Sequence, residues 1–313
     1  MSLSRPLRNT KARITVEDEE DRISRLPDEL IHQILEFVDT KLAIQTSLLS
    51  KRWKLIWKTL PFLKFRWVQQ GSPTNTNNFT RQVLSRRNHQ SQISSLELAF
   101  LPAGLFAKFV EYAISHHVQY LNVHLRRDHK PYKLSNFSSN SIQKLQLEMK
   151  FGDSISELDC WDLPALNTLH LTSYYNNHVE NETNLFPALV NLRNLTWFFR
   201  QGLIKADCVI NCPQLVNLNI YAYTYVTAFN NHSGNFILVA PKIRNISCVG
   251  LFPITFGLSQ LESVNMKIRD RTDGRKIIPG SKLMNIYYRG FTYMFQSLGS
   301  TKILTLDLET IEV

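Results

Sequence analysis

The sequence is poor in glycine and cysteine, and each shortage excludes a class of protein. Only 11 of its 313 residues are glycine, against an average share of roughly 7%, and no glycine-rich phosphate-binding loop is found. Four cysteines in a chain of this length do not form a disulfide framework, so we expect a reducing compartment, the nucleus or the cytoplasm. No run of about 18 uncharged apolar residues exists, so neither a spanning segment nor a membrane partner is expected.

Apolar residues and positive charge are plentiful. Apolar residues make up 43% of the chain and charged residues 20%, which is enough material for a large core. Lysine and arginine number 36 against 26 aspartates and glutamates, a net charge of +10 that is spread along the chain. A diffuse excess of this kind suits an acidic partner or simple solubility better than a nucleic acid.

The sequence contains none of the motifs that would indicate an enzyme. His-Glu-x-x-His, Gly-x-Ser-x-Gly, a Walker loop and paired Cys-x-x-Cys are all absent. Cys208 and Cys212 are four residues apart and could share a metal ion, but no second pair accompanies them. Small buried thiols are the favoured interpretation. We therefore expect neither catalysis nor a metal or cofactor site.

The first 67 residues divide into a polar tail, residues 1–20, and a helical module, residues 21–67. The tail ends in an acidic run, and we expect it to be disordered. A helix is predicted to start at Pro27 and Asp28, because proline and acidic residues suit a first turn. Apolar residues at helical spacing predict two further helices before Pro61. A module this small buries little core, and such modules are often completed by a partner.

The rest of the chain is predicted to be a repeat domain, residues 79–313, after a polar linker at residues 68–78. One pattern keeps returning: apolar, two residues, apolar, one residue, apolar. Its central residues are 18 to 28 positions apart: Leu96, Leu121, Leu145, Leu169, Leu195, Leu218, Ile246, Val264, Ile286 and Leu306. This period predicts an α/β solenoid of about ten coils with one parallel strand per coil. An ordinary α/β domain with regular strands is the alternative.

The residues between the apolar positions of each predicted strand face outward. They are polar with scattered aromatic side chains, a mixture that suits a protein-binding surface. Ordinary exposed strand residues are the alternative for any one of them. The candidate contacts on this face are Asn122, His124, His170, Phe198, Tyr221, Lys267, Tyr287 and Arg289.

The segment from Asp21 to Phe65 resembles an F-box, specifically one of the plant type. The resemblance rests on Leu-Pro-Asp-Glu-Leu at 26–30, Thr-Ser-Leu-Leu at 46–49 and Ser-Lys-Arg-Trp at 50–53. The leucine-rich units that follow resemble the repeats of plant F-box proteins of this kind. One departure is Asp39, which stands where a proline commonly precedes Thr-Lys and is expected to leave that turn less rigid.

The resemblance implies a substrate receptor of a Skp–cullin–F-box ubiquitin ligase. In that family the F-box docks on a Skp-type adaptor, and through it on a cullin, while the repeats hold the protein to be ubiquitinated. The adaptor contacts carried over by motif position are Leu26, Pro27, Leu30, Ile34, Leu49 and Trp53. The outward candidates on the repeats become candidate substrate contacts. A scaffold that binds a partner without ubiquitin transfer is the alternative.

A basic cluster near the end of the chain leaves one ligand question open. It consists of Lys267, Arg269, Arg271, Arg275 and Lys276. Some F-box repeat receptors that this chain resembles hold an inositol polyphosphate in a basic pocket. Charge alone motivates that hypothesis here, and no cofactor is expected.

Overall fold

The computed structural model describes residues 25–48, 52–67, 73–125, 137–149, 161–173, 183–201, 207–224, 236–249, 254–256, 263–269, 292, 295–296, 298–299 and 301–309. Its helices are α1 (Asp28–Leu35), α2 (Thr40–Gln45), α3 (Trp53–Ile56), α4 (Pro73–Arg86) and α5 (Phe106–Ser115). The predicted tail at 1–20 lies outside the described residues. Within those residues, no helix combines the length and the apolar character that crossing a membrane requires.

The strands fall into two parallel sheets. The first five are β1 (Phe62–Arg66), β2 (Ser95–Leu101), β3 (Tyr120–Leu125), β4 (Lys144–Met149) and β5 (Thr168–Ser173). Then follow β6 (Thr183–Leu185), β7 (Asn194–Gln201), β8 (Cys208–Asn211), β9 (Asn217–Thr224), β10 (Phe236–Val239), β11 (Asn245–Val249), β12 (Ile254–Phe256), β13 (Ser263–Arg269) and β14 (Ile303–Glu309). Ten strands form the larger sheet in the order β1-β2-β3-β4-β5-β7-β9-β11-β13-β14, and the smaller sheet has the order β12-β10-β8-β6.

The larger sheet confirms the predicted solenoid. From β2 to β13, strands that follow one another in the sheet are parallel and separated by one repeat, as stacked coils require. The prediction of one strand per coil is wrong for four turns, where β6, β8, β10 and β12 add a second strand. In Cys208–Asn211 and Phe236–Val239, buried residues alternate with half-buried or exposed ones. Each of the four added strands pairs with its equivalent in the next turn.

The apolar repeat positions fill the inside of the solenoid. Leu145 and Leu147 of β4 are buried, as are Leu169 and Leu171 of β5, and the residues between them are half-buried. Aromatic rings join the two sheets across this core. Trp197 of β7 lies 5.9 Å, centroid to centroid, from both Phe186 and Phe236, with near-perpendicular rings.

The predicted register holds for the first seven units and then shifts. Each central residue from Leu96 to Ile246 pairs with the next along the sheet. Ile246, however, pairs with Met266 and not with Val264. A shift of two residues keeps the same side chains facing inward, so the apolar pattern alone cannot detect it.

The unit centred on Ile286 lies outside the described residues. β13 pairs directly with β14, with Val264 opposite Leu304.

The three predicted helices of the N-terminal module are present as α1, α2 and α3. Their small core contains Ile31, Leu35, Ala43, Trp53, Ile56, Leu60 and Phe62. The missing proline at position 39 predicted a less rigid turn before α2, but Asp39 orders this turn. Its side chain accepts a hydrogen bond from the Leu42 backbone N–H at 2.8 Å and so caps the helix.

The sheet begins inside the segment predicted to belong to the helical module. Leu63 and Phe65 of β1 are buried in the solenoid core, whereas Phe62 belongs to the core of the helices. The Lys64 backbone N–H donates to the Thr40 hydroxyl at 2.8 Å, and the Lys64 ammonium donates to the Glu36 carbonyl at 2.7 Å. β1 therefore joins the two cores directly.

The predicted linker at 68–78 is wrong for residues 73–78, which form the first part of α4. Proline at the first position of a helix is favourable. The following polar residues are held by contacts farther on: Val83 is buried and Phe79 packs against the solenoid core. The Trp67 indole N–H also donates to the Asn77 side chain at 2.8 Å. Tertiary packing thus outweighs the low helix propensity of this segment.

A buried arginine fastens the end of α4 to both parts of the molecule. Arg87 donates to the Leu60 carbonyl at 2.6 Å, where the helical module ends, and to the Ser91 and Gln92 carbonyls at 2.9 and 3.2 Å. Its side chain is almost completely buried. Burial lowers the pKa of the guanidinium, and the nearby Tyr112 acts weakly in the opposite direction. Even so, an arginine remains charged. The carbonyls accept three hydrogen bonds from its two terminal nitrogens, while the buried Nε–H has no partner among the described residues.

Candidate functional site

The three N-terminal helices leave an unusual number of large apolar side chains in solvent. We call these residues the exposed apolar set: Leu30, Ile34, Phe37, Leu42, Leu48 and Leu55. On α1 the reason is local, because Ile31 and Leu35 point into the core while Leu30 and Ile34, also one turn apart, lie on the other side. The helix is thus apolar on two sides and needs something other than its own core to cover one of them.

The residues predicted to contact an adaptor occupy three different environments. Leu30 and Ile34 are 44% and 48% exposed, and Pro27 is exposed as well. Leu26 is half-buried against the helical core. Trp53 is only 5% exposed and lies in that core. Its side chain supports the surface from below, and a direct contact with an adaptor stays a prediction. Leu49 lies outside the described residues.

The most exposed members of the set were not identified from the sequence. Phe37, just after α1, is 90% exposed, and Leu48 is 89% exposed. Leu55 of α3 is exposed too, while its neighbours Trp53 and Ile56 are buried. Each is an apolar residue off the buried side of its helix, and on helices this short the sequence alone does not show which side is buried.

The second candidate surface is the outer face of the larger sheet. We divide it into three columns, each running across the strands. The first column contains Tyr120, Lys144, Thr168, Asn194, Asn217, Asn245 and Asn265; the second Glu97, Asn122, Gln146, His170, Thr196, Asn219, Ser247 and Lys267; the third His124, Glu148, Thr172, Phe198 and Tyr221. Six of the eight predicted substrate contacts therefore lie in two neighbouring columns. Tyr287 and Arg289 lie outside the described residues. Lys267 pairs with Ser247, two positions from the place that a register centred on Val264 predicts.

Charged side chains on the early strands of this face are paired. The His124 imidazole lies 2.6 Å from a carboxylate oxygen of Glu148 on the next strand. The Lys144 ammonium lies 4.8 Å from the centre of the Tyr120 ring. Glu148 was not singled out from the sequence, although it occupies the outward position beside His124.

A chain of amides runs along the first column, and we call it the asparagine ladder. Asn265 donates to Asn245 at 3.0 Å, Asn245 to Asn217 at 2.6 Å, and Asn217 to Asn194 at 2.6 Å. Asn194 then donates to the Thr168 hydroxyl at 3.1 Å. Every amide in the ladder points its donor toward the preceding coil, so the four hydrogen bonds join five coils along one edge.

The third column contains a stacked aromatic pair. The rings of Phe198 on β7 and Tyr221 on β9 are 4.1 Å apart, centroid to centroid, with an angle of 6° between their planes. Both side chains are half-buried. In the neighbouring column, His170 has its pKa lowered by burial and by the positive charge of Lys144, which favours the neutral imidazole at physiological pH.

The helical module matches a known domain family. The family model described as F-box domain matches residues 23–65, the segment that contains α1 to α3 and the exposed apolar set. Together with the parallel solenoid that follows, this match decides the class of protein. The chain contains an F-box domain followed by a repeat solenoid, and it is similar to plant F-box proteins with leucine-rich repeats.

Curated relatives of this F-box protein come from Arabidopsis thaliana. An F-box/LRR-repeat protein is 25% identical over 304 residues, which are 94% of this chain and 92% of that protein. An F-box/FBD/LRR-repeat protein is 27% identical over 302 residues, 94% of this chain and 61% of that protein. F-box/LRR-repeat protein 25 is 35% identical over 133 residues, 41% of this chain and 49% of that protein. The chain thus spans about half to two thirds of the length of most relatives it matches. No solved structure matches it.

The F-box protein shows no cluster of metal ligands among its described residues. Cys208, Cys212 and Cys248 are buried and are not joined by a disulfide, and burial raises the pKa of each thiol to about 12. The basic cluster considered for an inositol polyphosphate lies mostly outside the described residues.

Proposed function

We propose that this F-box protein is the substrate-recognition subunit of a Skp–cullin–F-box ubiquitin ligase. The observation that carries the proposal is the exposed apolar set on a module that matches the F-box family. The family generally binds Skp-type adaptors through this domain. The chain itself would not catalyse the transfer; the complex recruited through the cullin would, in the nucleus, the cytoplasm or both.

The energetics of the exposed apolar set support adaptor docking. Burying one leucine, isoleucine or phenylalanine side chain contributes about 1.5–3 kcal/mol. Phe37 and Leu48 are almost fully exposed and Leu30, Ile34 and Leu55 about half exposed, so a partner that covers several of them gains a stable interface. The ion pair between Arg52 and Asp28, at 2.6 Å, joins the starts of α1 and α3 and holds the helices in one arrangement.

The proposal predicts that charges on α1 abolish adaptor binding. Leu30→Asp together with Ile34→Asp should reduce co-purification with a Skp-type adaptor to background. Each substitution would bury an unpaired carboxylate against an apolar surface of the partner, which is costly. Both residues are about half exposed, so the variant should still fold. Val190→Asp is the matched control: Val190 is 48% exposed and lies on the solenoid. It should co-purify like the wild type.

Three outcomes would contradict parts of this proposal. Wild-type yield of the complex from the double variant would place the docking surface elsewhere. No complex with the wild-type chain would contradict the adaptor role itself. An adaptor complex that fails to recruit a cullin would favour the scaffold function. Trp53→Ala is not a test of contact, since emptying the helical core should cost about 3–5 kcal/mol of folding free energy and lose the complex by unfolding.

A further inference from the structure

The middle of the larger sheet differs from its two sides in charge. Across β5, β7, β9 and β11, the outward positions 168–172, 194–198, 217–221 and 245–247 contain hydroxyl, amide and aromatic residues and one histidine. None of them is lysine, arginine, aspartate or glutamate. On one side lie Lys144 and Glu148 of β4, and on the other lies Lys267 of β13. The next charged residue in the sequence of β7 is Arg200.

The Phe198–Tyr221 pair lies within this uncharged region. Thr172 stands opposite Phe198 on the neighbouring strand, and Thr196 and Asn219 precede the two rings on their own strands. Aromatic side chains near the centre of a surface, ringed by neutral polar groups, are the usual arrangement of residues that dominate a protein interface. Charged partner groups would be desolvated here without a counter-charge, which is costly.

We propose that the Phe198–Tyr221 pair is the anchor of the substrate-binding surface and receives an aromatic or branched apolar side chain from an uncharged polypeptide segment. The proposal rests on the proposed function only in identifying that segment as part of the protein to be ubiquitinated. It assigns the recognition to apolar contact and neutral hydrogen bonds. A phosphorylated or acidic segment would instead need arginines or lysines within this region.

The test uses the full chain and a phage-displayed library of random twelve-residue peptides. Peptides selected on the wild type, after depletion on a Phe198→Ser/Tyr221→Ser double variant, should carry an aromatic or branched apolar residue and a net charge near zero. Synthetic copies should bind the double variant more weakly by about tenfold or more. The conservative variants Phe198→Tyr and Tyr221→Phe should bind like the wild type. So should the control Arg66→Ala, which changes an exposed residue of β1.

A second variant covers the case in which the double variant fails to fold. Thr196→Arg leaves both rings in place and adds a charge beside them at a half-buried outward position. It should weaken the selected peptides to a similar extent. Thermal unfolding of each variant, followed by circular dichroism, distinguishes lost contact from lost structure.

Several results would overturn the proposal. Enrichment of acidic peptides whose binding depends on Arg200 would indicate recognition of negative charge. Equal binding to the wild type and the double variant would remove the aromatic pair from the surface. Binding of a single-stranded oligonucleotide that is lost in the double variant would show that the rings stack on bases. Adaptor co-purification with the same variants is independent of these results, so a failure of the proposed function would be recognised separately.

Discussion

At the scale of single residues, burial decides which side chains can react. Cys208, Cys212 and Cys248 each have less than about a tenth of their surface in solvent, and their pKa values are raised to about 12 by burial. At pH 8 only roughly one thiol in ten thousand would then be ionised, and the thiolate is the reactive form. These residues are part of the core, and burial makes their thiols poorly reactive.

This environment predicts slow thiol modification. In a Cys160→Ser variant, which removes the cysteine that lies outside the described residues, the folded chain should show no rapid reaction with a colorimetric disulfide reagent at pH 8. In guanidinium chloride, three thiols per chain of the same sample should react with the reagent within minutes. A rapid signal from the folded chain would mean that one of the three sites opens readily to solvent.

At the scale of elements, the asparagine ladder makes neighbouring coils depend on one another. Asn217 is at once a donor to Asn194 and an acceptor from Asn245. Asn217→Asp would place a carboxylate oxygen against the Asn194 carbonyl oxygen, and we expect a loss of about 1–3 kcal/mol of unfolding free energy. Chemical denaturation measures it. Asn211→Asp, at an exposed residue of β8 outside the ladder, is the control and should change little. Equal effects of both substitutions would mean that the ladder contributes nothing of its own.

The strands of the solenoid were predictable because each one repeats a short apolar pattern. Leu121 and Val123 read the same as Leu145 and Leu147, and burial of both pairs follows from the period of two. β1 was not predictable this way: Phe62, Leu63 and Phe65 are consecutive or nearly so, because they serve two cores and so lack a simple alternation.

The candidate surfaces were predictable only in part, for a related reason. An outward strand position follows from the alternation, so Phe198 and Tyr221 could be named from the sequence. An apolar residue on a short helix gives no such guide, since Trp53 and Leu55 are two residues apart yet one is buried and the other exposed. Which side faces the core depends on helices and strands far away in sequence. For the same reason the sequence predicted a linker at residues 73–78. The helix there is stabilised by Phe79 and Val83, which pack in the solenoid core.

At the scale of the whole molecule, one buried side chain connects the F-box to the repeats. Arg87→Met would leave three carbonyl groups, of Leu60, Ser91 and Gln92, without their charged donor. We expect unfolding free energy to fall by roughly 3 kcal/mol or more, since hydrogen bonds to charged groups are the stronger ones. The exposed neighbour Arg86→Met is the matched control and should stay within about 0.5 kcal/mol of the wild type.

Hydrogen exchange gives that prediction a local readout. In Arg87→Met the backbone amides of Ser94 and Ser95, which donate to the Pro61 carbonyl, should exchange faster than in the wild type. Amides of β9, on the far side of several coils, should change only as much as global stability changes. Uniform acceleration across the sheet would show that Arg87 stabilises the fold without any special role at the junction.

Because β1 follows the F-box directly and is the first strand of the sheet, it fixes the distance between the F-box and each later strand. β7 is the sixth strand from the F-box end, so its surface is separated from β1 by five strand spacings, or roughly 24 Å at about 4.8 Å each. Because α3 and β1 are joined by a short ordered segment, that distance is fixed. Under the proposed function, a protein bound at β7 and β9 would therefore be held at a fixed distance from the adaptor. Adding or deleting one coil before β7 would change this distance by about 4.8 Å. The adaptor-binding and substrate-binding surfaces would themselves stay unchanged.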